Sequence, residues 1–315
     1  MTAGSPPPNC LFTIFVPTFN RAYILSRALA SIEGQTLRDF EVVIVDDGST
    51  DGTRGLVEAW AKRMPFAVRY RYQPNGGKHV AHNTMLELAQ GEFVVLLDSD
   101  DMLVPTALER CRFHWEQIPQ DRRSEFAGVE GLIARMDDGR IMGKPFPRDV
   151  LDSDHLQVRV RMGIGGDKRG AMLTRVLRSF PYPVFSGERH IRPSLLWDRL
   201  AEAGWKFRFF NEVIELYEHQ PDGLSANRFR LRMANPRGLG LCMREEIRLH
   251  GPYLSPRERL RLGINYVRYS LHAGEGLADQ YRDIGARGLW FASLVPGALN
   301  WLADQARVKL RPAAG

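Results

Sequence analysis

Three carboxylates crowd the end of one apolar run: Phe93-Val94-Val95-Leu96-Leu97 leads directly into Asp98-Ser99-Asp100-Asp101. Like charges gathered at a strand end repel one another, and a hard divalent cation held through oxygen ligands is the natural counter-ion. Bound by only one or two carboxylates, such an ion keeps positions for waters and substrate phosphates. The alternative is a polar turn capping a helix that starts near Pro105. A second apolar, β-branched run, Phe40 to Val45, also ends in acids, Asp46-Asp47-Gly48-Ser49-Thr50-Asp51. In an open, mostly parallel sheet, ligands bind beyond the carboxyl ends of the strands. There Asp47 could accept hydrogen bonds from a base N–H or a ribose hydroxyl, while Thr50 or Asp51 caps the next helix.

The elements that must carry these residues alternate in the βαβ manner. The pattern predicts strands over Leu11 to Val16, Glu41 to Val45, Ala67 to Tyr72 and Glu92 to Leu97. Between them it predicts helices over Ala22 to Glu33, Thr53 to Arg63 and Lys78 to Ala89, followed by one from Pro105 to about Ile118. Parallel pairing follows from such alternation. After Asp121 the runs shorten and turns such as Asp137-Asp138-Gly139 appear, which predicts antiparallel additions to the same sheet. Phe185 to His190 reads as a loop, Ser194 to Ala203 as a helix ended by Gly204, and Lys206 to Glu218 as a pair of strands returning to the acids. The fold class is therefore α/β: a mostly parallel central sheet with flanking helices, plus a C-terminal helical extension. The expected parts are a disordered lead over 1–10, a catalytic domain over 11–226 with halves at 11–105 and 106–226, and an Arg-rich helical region over 227–315.

With 315 residues and 44% hydrophobic composition, the chain can bury one substantial core and carry an appended module. Its net charge of +6 comes mostly from arginines, dense after residue 155, and suits phosphorylated substrates or an anionic surface. No nucleic-acid-reading motif accompanies that charge, so nucleic acid is not an expected partner. Cys10, Cys111 and Cys242 lie too far apart for a zinc site or a disulfide framework, which fits the cytoplasm. The Pro-rich Met1 to Asn9 lacks the charged and apolar regions of a signal peptide. No apolar run approaches the roughly 20 residues needed to cross a bilayer. The run Leu289 to Leu302, with Trp290, Trp301 and the following Arg307, Lys309 and Arg311, reads either as an interfacial membrane anchor or as a terminal helix docked on the core and interrupted at Pro296.

Taken together, Val16-Pro17-Thr18-Phe19-Asn20-Arg21, Val45-Asp46-Asp47-Gly48-Ser49-Thr50-Asp51, Asn75-Gly76-Gly77-Lys78 and Leu97-Asp98-Ser99-Asp100-Asp101 resemble family 2 glycosyltransferases of the GT-A fold, in order and spacing as well as in residue type. The resemblance is specific over residues 11 to 105 and traceable to about 225. It implies an inverting enzyme that moves a sugar from a nucleoside-diphosphate sugar, UDP being the family's commonest choice, to a hydroxyl of a glycan or lipid-linked glycan, with Mn²⁺ or Mg²⁺ as cofactor. By that resemblance Pro17, Thr18, Phe19 and Asn20 line the base pocket, Asp47 binds the base, and Lys78 approaches phosphate or ribose. Asp98-Ser99-Asp100 corresponds to the family's Asp-x-Asp motif. Asp100 holds ribose or metal, Asp101 is an equally good metal ligand, and His219 is a further ligand to metal or diphosphate.

The acceptor's proton needs a carboxylate base. The Glu-Asp pair that supplies it in the family would fall at Arg192-Pro193 or Pro193-Ser194, where there is no acid. Either Glu188, in the Gly-containing loop Phe185-Ser186-Gly187-Glu188-Arg189, takes the role, or Asp198 does, or the base is missing. The missing pair keeps open a different class of protein, a non-catalytic GT-A module that binds nucleotide sugar or a glycosyl-assembly complex. A nicotinamide enzyme is excluded, because Pro17-Thr18-Phe19-Asn20 is unlike the Gly-x-Gly-x-x-Gly such a fold requires. The expected location is cytoplasmic, with peripheral attachment to the inner face of a membrane through the C-terminal region.

Overall fold

The structure, a computed structural model, describes residues 10–220 and 228–310. Its first part runs β1 (Phe12–Thr18), α1 (Leu25–Glu33), β2 (Phe40–Asp46), α2 (Thr53–Ala61), β3 (Val68–Tyr72), α3 (Lys78–Leu88) and β4 (Phe93–Leu96). Then follow β5 (Met102–Leu103), α4 (Ala107–Glu116), β6 (Phe126–Arg135), β7 (Val150–Ser153), β8 (Lys168–Leu173), α5 (Thr174–Leu177), α6 (Ser194–Glu202) and β9 (Lys206–Tyr217). The remainder is helical: α7 (Arg228–Met233), α8 (Pro236–His250), α9 (Pro256–His272), α10 (Leu277–Asp283) and α11 (Arg287–Leu310).

One sheet takes the strands in the order β3-β2-β1-β4-β8-β6-β9-β5, with β7 on β9. The four leading strands are parallel, whereas β8 runs antiparallel to both β4 and β6, as the change of rhythm after Asp121 predicts. Every residue of β1 and β2 is buried, so these strands are covered on both faces and read as continuous apolar runs rather than alternating ones. The chain leaves β1 toward β2 and β3, then crosses to β4 on the other side. That reversal opens a crevice beyond the carboxyl ends of β1 and β4, where Thr18 and Asp98 stand.

The expected pair of strands over Lys206 to Glu218 is instead one 12-residue strand. Its turn-prone step at Asn211-Glu212 is absorbed as an irregularity in the register with β6, between Glu130 and Leu132. The Asn211 amide accepts from the Phe146 N–H and donates to the carbonyls of Phe146 and Arg148, which pins the bulge from the side.

The chain divides into two compact units, Met1–Pro183 with Arg199–Ala226, and Val184–Asp198 with Asn227–Gly315. The segment around Glu188, expected within the catalytic domain, thus groups with the C-terminal helices. The second unit has its own core, with Leu239, Met243 and Ile247 of α8, Tyr266, Val267 and Tyr269 of α9, and Ile284 and Trp290. Helix α11 continues through Pro296, where an interruption was expected.

Candidate active site

The loops after β1, β2 and β3 are knitted together by the residues singled out in the sequence. Asn20 sits at φ 51°, a left-handed conformation that Asn tolerates. From there its N–H donates to Ser49 Oγ at 2.8 Å and its Oδ1 accepts the Thr50 N–H at 2.8 Å. Asp51 accepts the Thr53 N–H at 3.0 Å and the Ala22 N–H at 3.0 Å, so it caps α2 and ties the first loop to the second. Asp46 accepts the Ser49 N–H and the Tyr70 hydroxyl, at 2.8 and 2.6 Å. Gly48 has φ 93°, and a Cβ there would lie 2.8 Å from the Asn75 backbone nitrogen, so the second and third loops touch only because this residue has no side chain.

Asp47, expected to contact the ligand, is buried and committed to the protein. Its Oδ1 accepts from Gln73 Nε2 at 2.7 Å and the Gly76 N–H at 2.9 Å, and its Oδ2 accepts the Gly77 N–H at 2.7 Å. Three donors on one carboxylate make it the anchor of the loop that presents Lys78 at the start of α3. The hydroxyl of Thr18 is buried with no partner among the described residues, and Phe19 beside it is exposed. Pro17 lies within the buried strand β1.

The acids after β4 differ sharply in their surroundings. Asp98 is ion-paired with Lys78 and lies 3.1 Å from Arg169 on β8. Burial pushes its carboxyl up, but the two cations outweigh burial and hold it at about 2. Arg169 also pairs with the fully buried Glu215 of β9 at 2.7 Å. Burial, against the pull of Arg169, leaves the Glu215 carboxyl at about 7. Asp101 is buried, accepts the Glu218 N–H at 3.2 Å, and is pushed to about 9 by burial and then by Glu215 and Asp98. Asp100 has no ion-pair partner among the described residues, and burial followed by Asp98 raises its carboxyl as well. Ser99 is buried between them.

A carboxylate raised by burial and by the neighbouring Asp98, with no ion-pair partner among the described residues, fits a divalent cation completed by substrate phosphates. It does not fit a ready-made cage. Among the described residues no group of three or more His, Cys, Asp or Glu side chains is arranged to hold a metal. The expected trio of Asp100, Asp101 and His219 is accordingly not assembled: Asp101 faces inward, and His219 is exposed, with Nδ1 3.3 Å from the Tyr217 hydroxyl.

In the second unit, Glu188 accepts the Arg237 N–H on Oε1 at 2.7 Å and the Gly238 N–H on Oε2 at 2.8 Å. These are the first amides of α8, so the carboxylate caps that helix. Asp198 is 3% exposed and lies 2.9 Å from His250 Nε2. Enclosed and paired in this way, Asp198 is less open to an acceptor hydroxyl than the expectation of it as an alternative base requires.

Arg169 and Glu215 escaped the sequence reading. Arg169 has no motif around it; Glu215, an acid flanked by Ile214 and Leu216 within a strand of aromatics, was the available signal that a buried charge needs a partner.

Residues 13–122 match the sequence profile of Glycosyl transferase family 2. Over 101 residues the chain is 40% identical to the GalNAc(5)-diNAcBac-PP-undecaprenol beta-1,3-glucosyltransferase of Campylobacter jejuni, covering 30% of this chain and 31% of that protein. It is equally identical over 101 residues to the chondroitin synthase of Escherichia coli, covering 32% of this chain and 15% of that one. The matched stretch thus spans under a third of these curated relatives. Among solved structures, S. aureus TarS 1-349 in complex with UDP-GlcNAc superposes with a TM-score of 0.59 at 19% identity, covering 91% of this chain and 80% of that one. The mannosyltransferase PcManGT from Pyrobaculum calidifontis, in complex with GDP-Man and Mn²⁺, gives 0.56 at 22% identity, covering 96% and 91%. At these identities the superpositions speak for the fold alone, a mixed α/β GT-A architecture with C-terminal helices. Over residues 13–122 the chain is thus similar to family 2 of the glycosyltransferases, and the fold built on those residues is the mixed α/β one that these structures share.

Proposed function

We propose that the protein transfers a sugar, with inversion, from a nucleoside-diphosphate sugar to a hydroxyl of a glycan or lipid-linked glycan. UDP is the proposed nucleotide and Mn²⁺ or Mg²⁺ the proposed ion. The observation that carries this reading is the contrast at the end of β4, where Asp98 is ion-paired with Lys78 and Arg169 while Asp100 has no ion-pair partner among the described residues. The names of the relatives, which include a transferase acting on an undecaprenol-linked substrate and a structure holding a UDP-sugar, support the substrate classes.

In this reading Thr18 and Phe19 receive the base. Asn20 and Asp47 fix the loops around it through the contacts described, and Asp98 orients Lys78 toward phosphate. Asp100 and, after a change in its surroundings, Asp101 would hold the ion, with His219 reaching it or the diphosphate. When bound, that ion supplies neutralisation of the leaving diphosphate. Glu188 takes the acceptor's proton, its two oxygens kept in one orientation by the amides of α8. The enzyme would act from the cytoplasm at the inner face of a membrane carrying its acceptor.

Calorimetric titration with UDP, GDP and dTDP, with and without Mn²⁺, on the native protein and on Asp100→Asn tests the donor half. Metal-dependent binding of one nucleotide, lost in the variant, is expected; no binding of any would overturn the reading. A second reading, a module that binds nucleotide sugar without turnover, is favoured by one observation: both oxygens of Glu188 are occupied as a helix cap. Release of nucleoside diphosphate in the presence of acceptor decides between the two.

A further inference from the structure

Helix α11 has two faces of different character. Toward α9 it is locked: Trp290 and Ser293 are buried, and a Cβ on Gly297 would lie 2.7 Å from Val267 Cβ. Asp304 holds Arg268 through two bonds of 2.5 and 2.6 Å and lies 3.0 Å from His272. On the other side Phe291, Val295, Leu299 and Leu302 are 63%, 67%, 60% and 54% exposed. At about 100° per residue these four fall within an arc of roughly 80°, and they run for about 16 Å along the axis. The small residues Ala292, Ala303 and Ala306 flank them and are also exposed. The tryptophans of the run, Trp290 and Trp301, turn away from this stripe toward the protein.

The charges around the stripe indicate what covers it. No charged residue occurs between Arg287 and Asp304, and Asp304 is neutralised by Arg268. Arg307 and Lys309 follow, with Arg311 beyond the described residues, so an uncharged apolar stripe is bracketed by cations alone. A bare apolar face of this size on a water-soluble helix marks an interaction site, and basic residues at its ends match anionic headgroups. Among the described residues no helix is long and apolar enough to cross a membrane. With Ser293 and Asp304 packed on α9, α11 presents only one side to lipid.

We propose that α11 lies flat on an anionic bilayer, inserting Phe291, Val295, Leu299 and Leu302 among the acyl chains, with the net positive charge that follows the stripe in the sequence drawing it to anionic headgroups. The proposal stands on the C-terminal unit and does not require the sugar-transfer reading. Insertion from one helix face, assisted by nearby cations, binds reversibly and weakens with salt.

The test is co-sedimentation of the full chain with phosphatidylcholine vesicles, with and without phosphatidylglycerol. The native protein is expected to bind the anionic vesicles, and the double variant Val295→Asp, Leu299→Asp to bind them at least about tenfold less, with an unchanged circular dichroism spectrum because both side chains face water. The variant Arg307→Gln, Lys309→Gln, which leaves the apolar stripe intact, should lose binding severalfold and most of its salt sensitivity. Equal binding by the native chain and the aspartate variant overturns the proposal, as does failure of the native chain to bind either vesicle. A native dimer that the aspartate substitutions dissociate, without vesicle binding, also overturns it and makes the stripe an interface between copies.

Discussion

Replacing Arg169 by methionine tests the argument for how the acids are held. The side chain is 13% exposed and joins Asp98 at 3.1 Å to Glu215 at 2.7 Å, the latter completely buried. Removing one member of a buried pair typically costs about 3–5 kcal/mol, because the other charge is left unpaired. The two orphaned acids do not suffer equally. Asp98 keeps Lys78, whereas Glu215 has no other cation within ion-pair distance among the described residues. With its carboxyl already at about 7 beside Arg169, Glu215 can escape by taking up a proton, which places the expected loss near the lower bound, about 3 kcal/mol. Urea unfolding at pH 7 of the native chain, Arg169→Met, Glu215→Gln and the double variant would measure it, with the slope against urea checked for constancy. The double variant should recover part of the loss, a coupling of about 2 kcal/mol. A loss below about 1 kcal/mol, or strict additivity of the two substitutions, would refute the view that Arg169 keeps the two acids in place.

The remaining predictions concern single groups. Asp47→Asn leaves the Gly77 N–H facing an amide that cannot accept as the carboxylate does, so about 1–3 kcal/mol of stability should disappear even without ligand; an unchanged unfolding midpoint would show that another group anchors the loop. The ring of His82 is held at about 4 by burial and then by Lys78. Its neutral form is therefore favoured in the fold, and the stability it contributes is complete above the unfolded value near 6.5 and lost as pH falls from there toward 4. The native chain should lose about 2 kcal/mol from this group between pH 7 and pH 5. His82→Phe, which keeps the edge contacts with Phe15 and Tyr182, should lack that dependence, and parallel pH profiles would count against it. Glu188→Gln should cost about 1 kcal/mol as a weakened cap. If Glu188 is also the base, turnover should fall by about a hundredfold or more with nucleotide affinity intact, and a loss of turnover no larger than the loss of stability explains would leave it the cap alone.

The βαβ half was legible because its strands are covered on both faces, so Phe12–Thr18 and Phe40–Asp46 appear as uninterrupted apolar runs with acids at their ends. Asp51 could be read as a cap because that role depends on residues two positions away. The anchoring bonds of Asp47 were not legible, since its three donors come from a loop 26 to 30 positions later that a pattern search along β2 does not reach. The same holds for Arg169, whose partners lie on β9 and after β4. In the C-terminal unit the periodicity of α11 was visible, but which side faces α9 is set by Gly297 and by the clamp of Asp304 on Arg268, so Trp290 is core and Trp301 half-buried beside His272 rather than exposed at an interface. Pro296 was read as a break. The helix continues through it because packing on α9, rather than an unbroken ladder of backbone bonds, holds this segment.

The row of charges from Lys78 through Asp98 and Arg169 to Glu215 also has a thermal consequence. The free energy of hydrating ions becomes less favourable as temperature rises, so keeping the buried members of this row, Arg169 and Glu215, out of water costs less in a warm protein than in a cold one. Apolar burial, by contrast, weakens on cooling. Both trends act in the same direction at the end of β4, which on this account should be firmest in the upper part of the protein's working range and should loosen first on chilling, while the rest of the sheet is still intact.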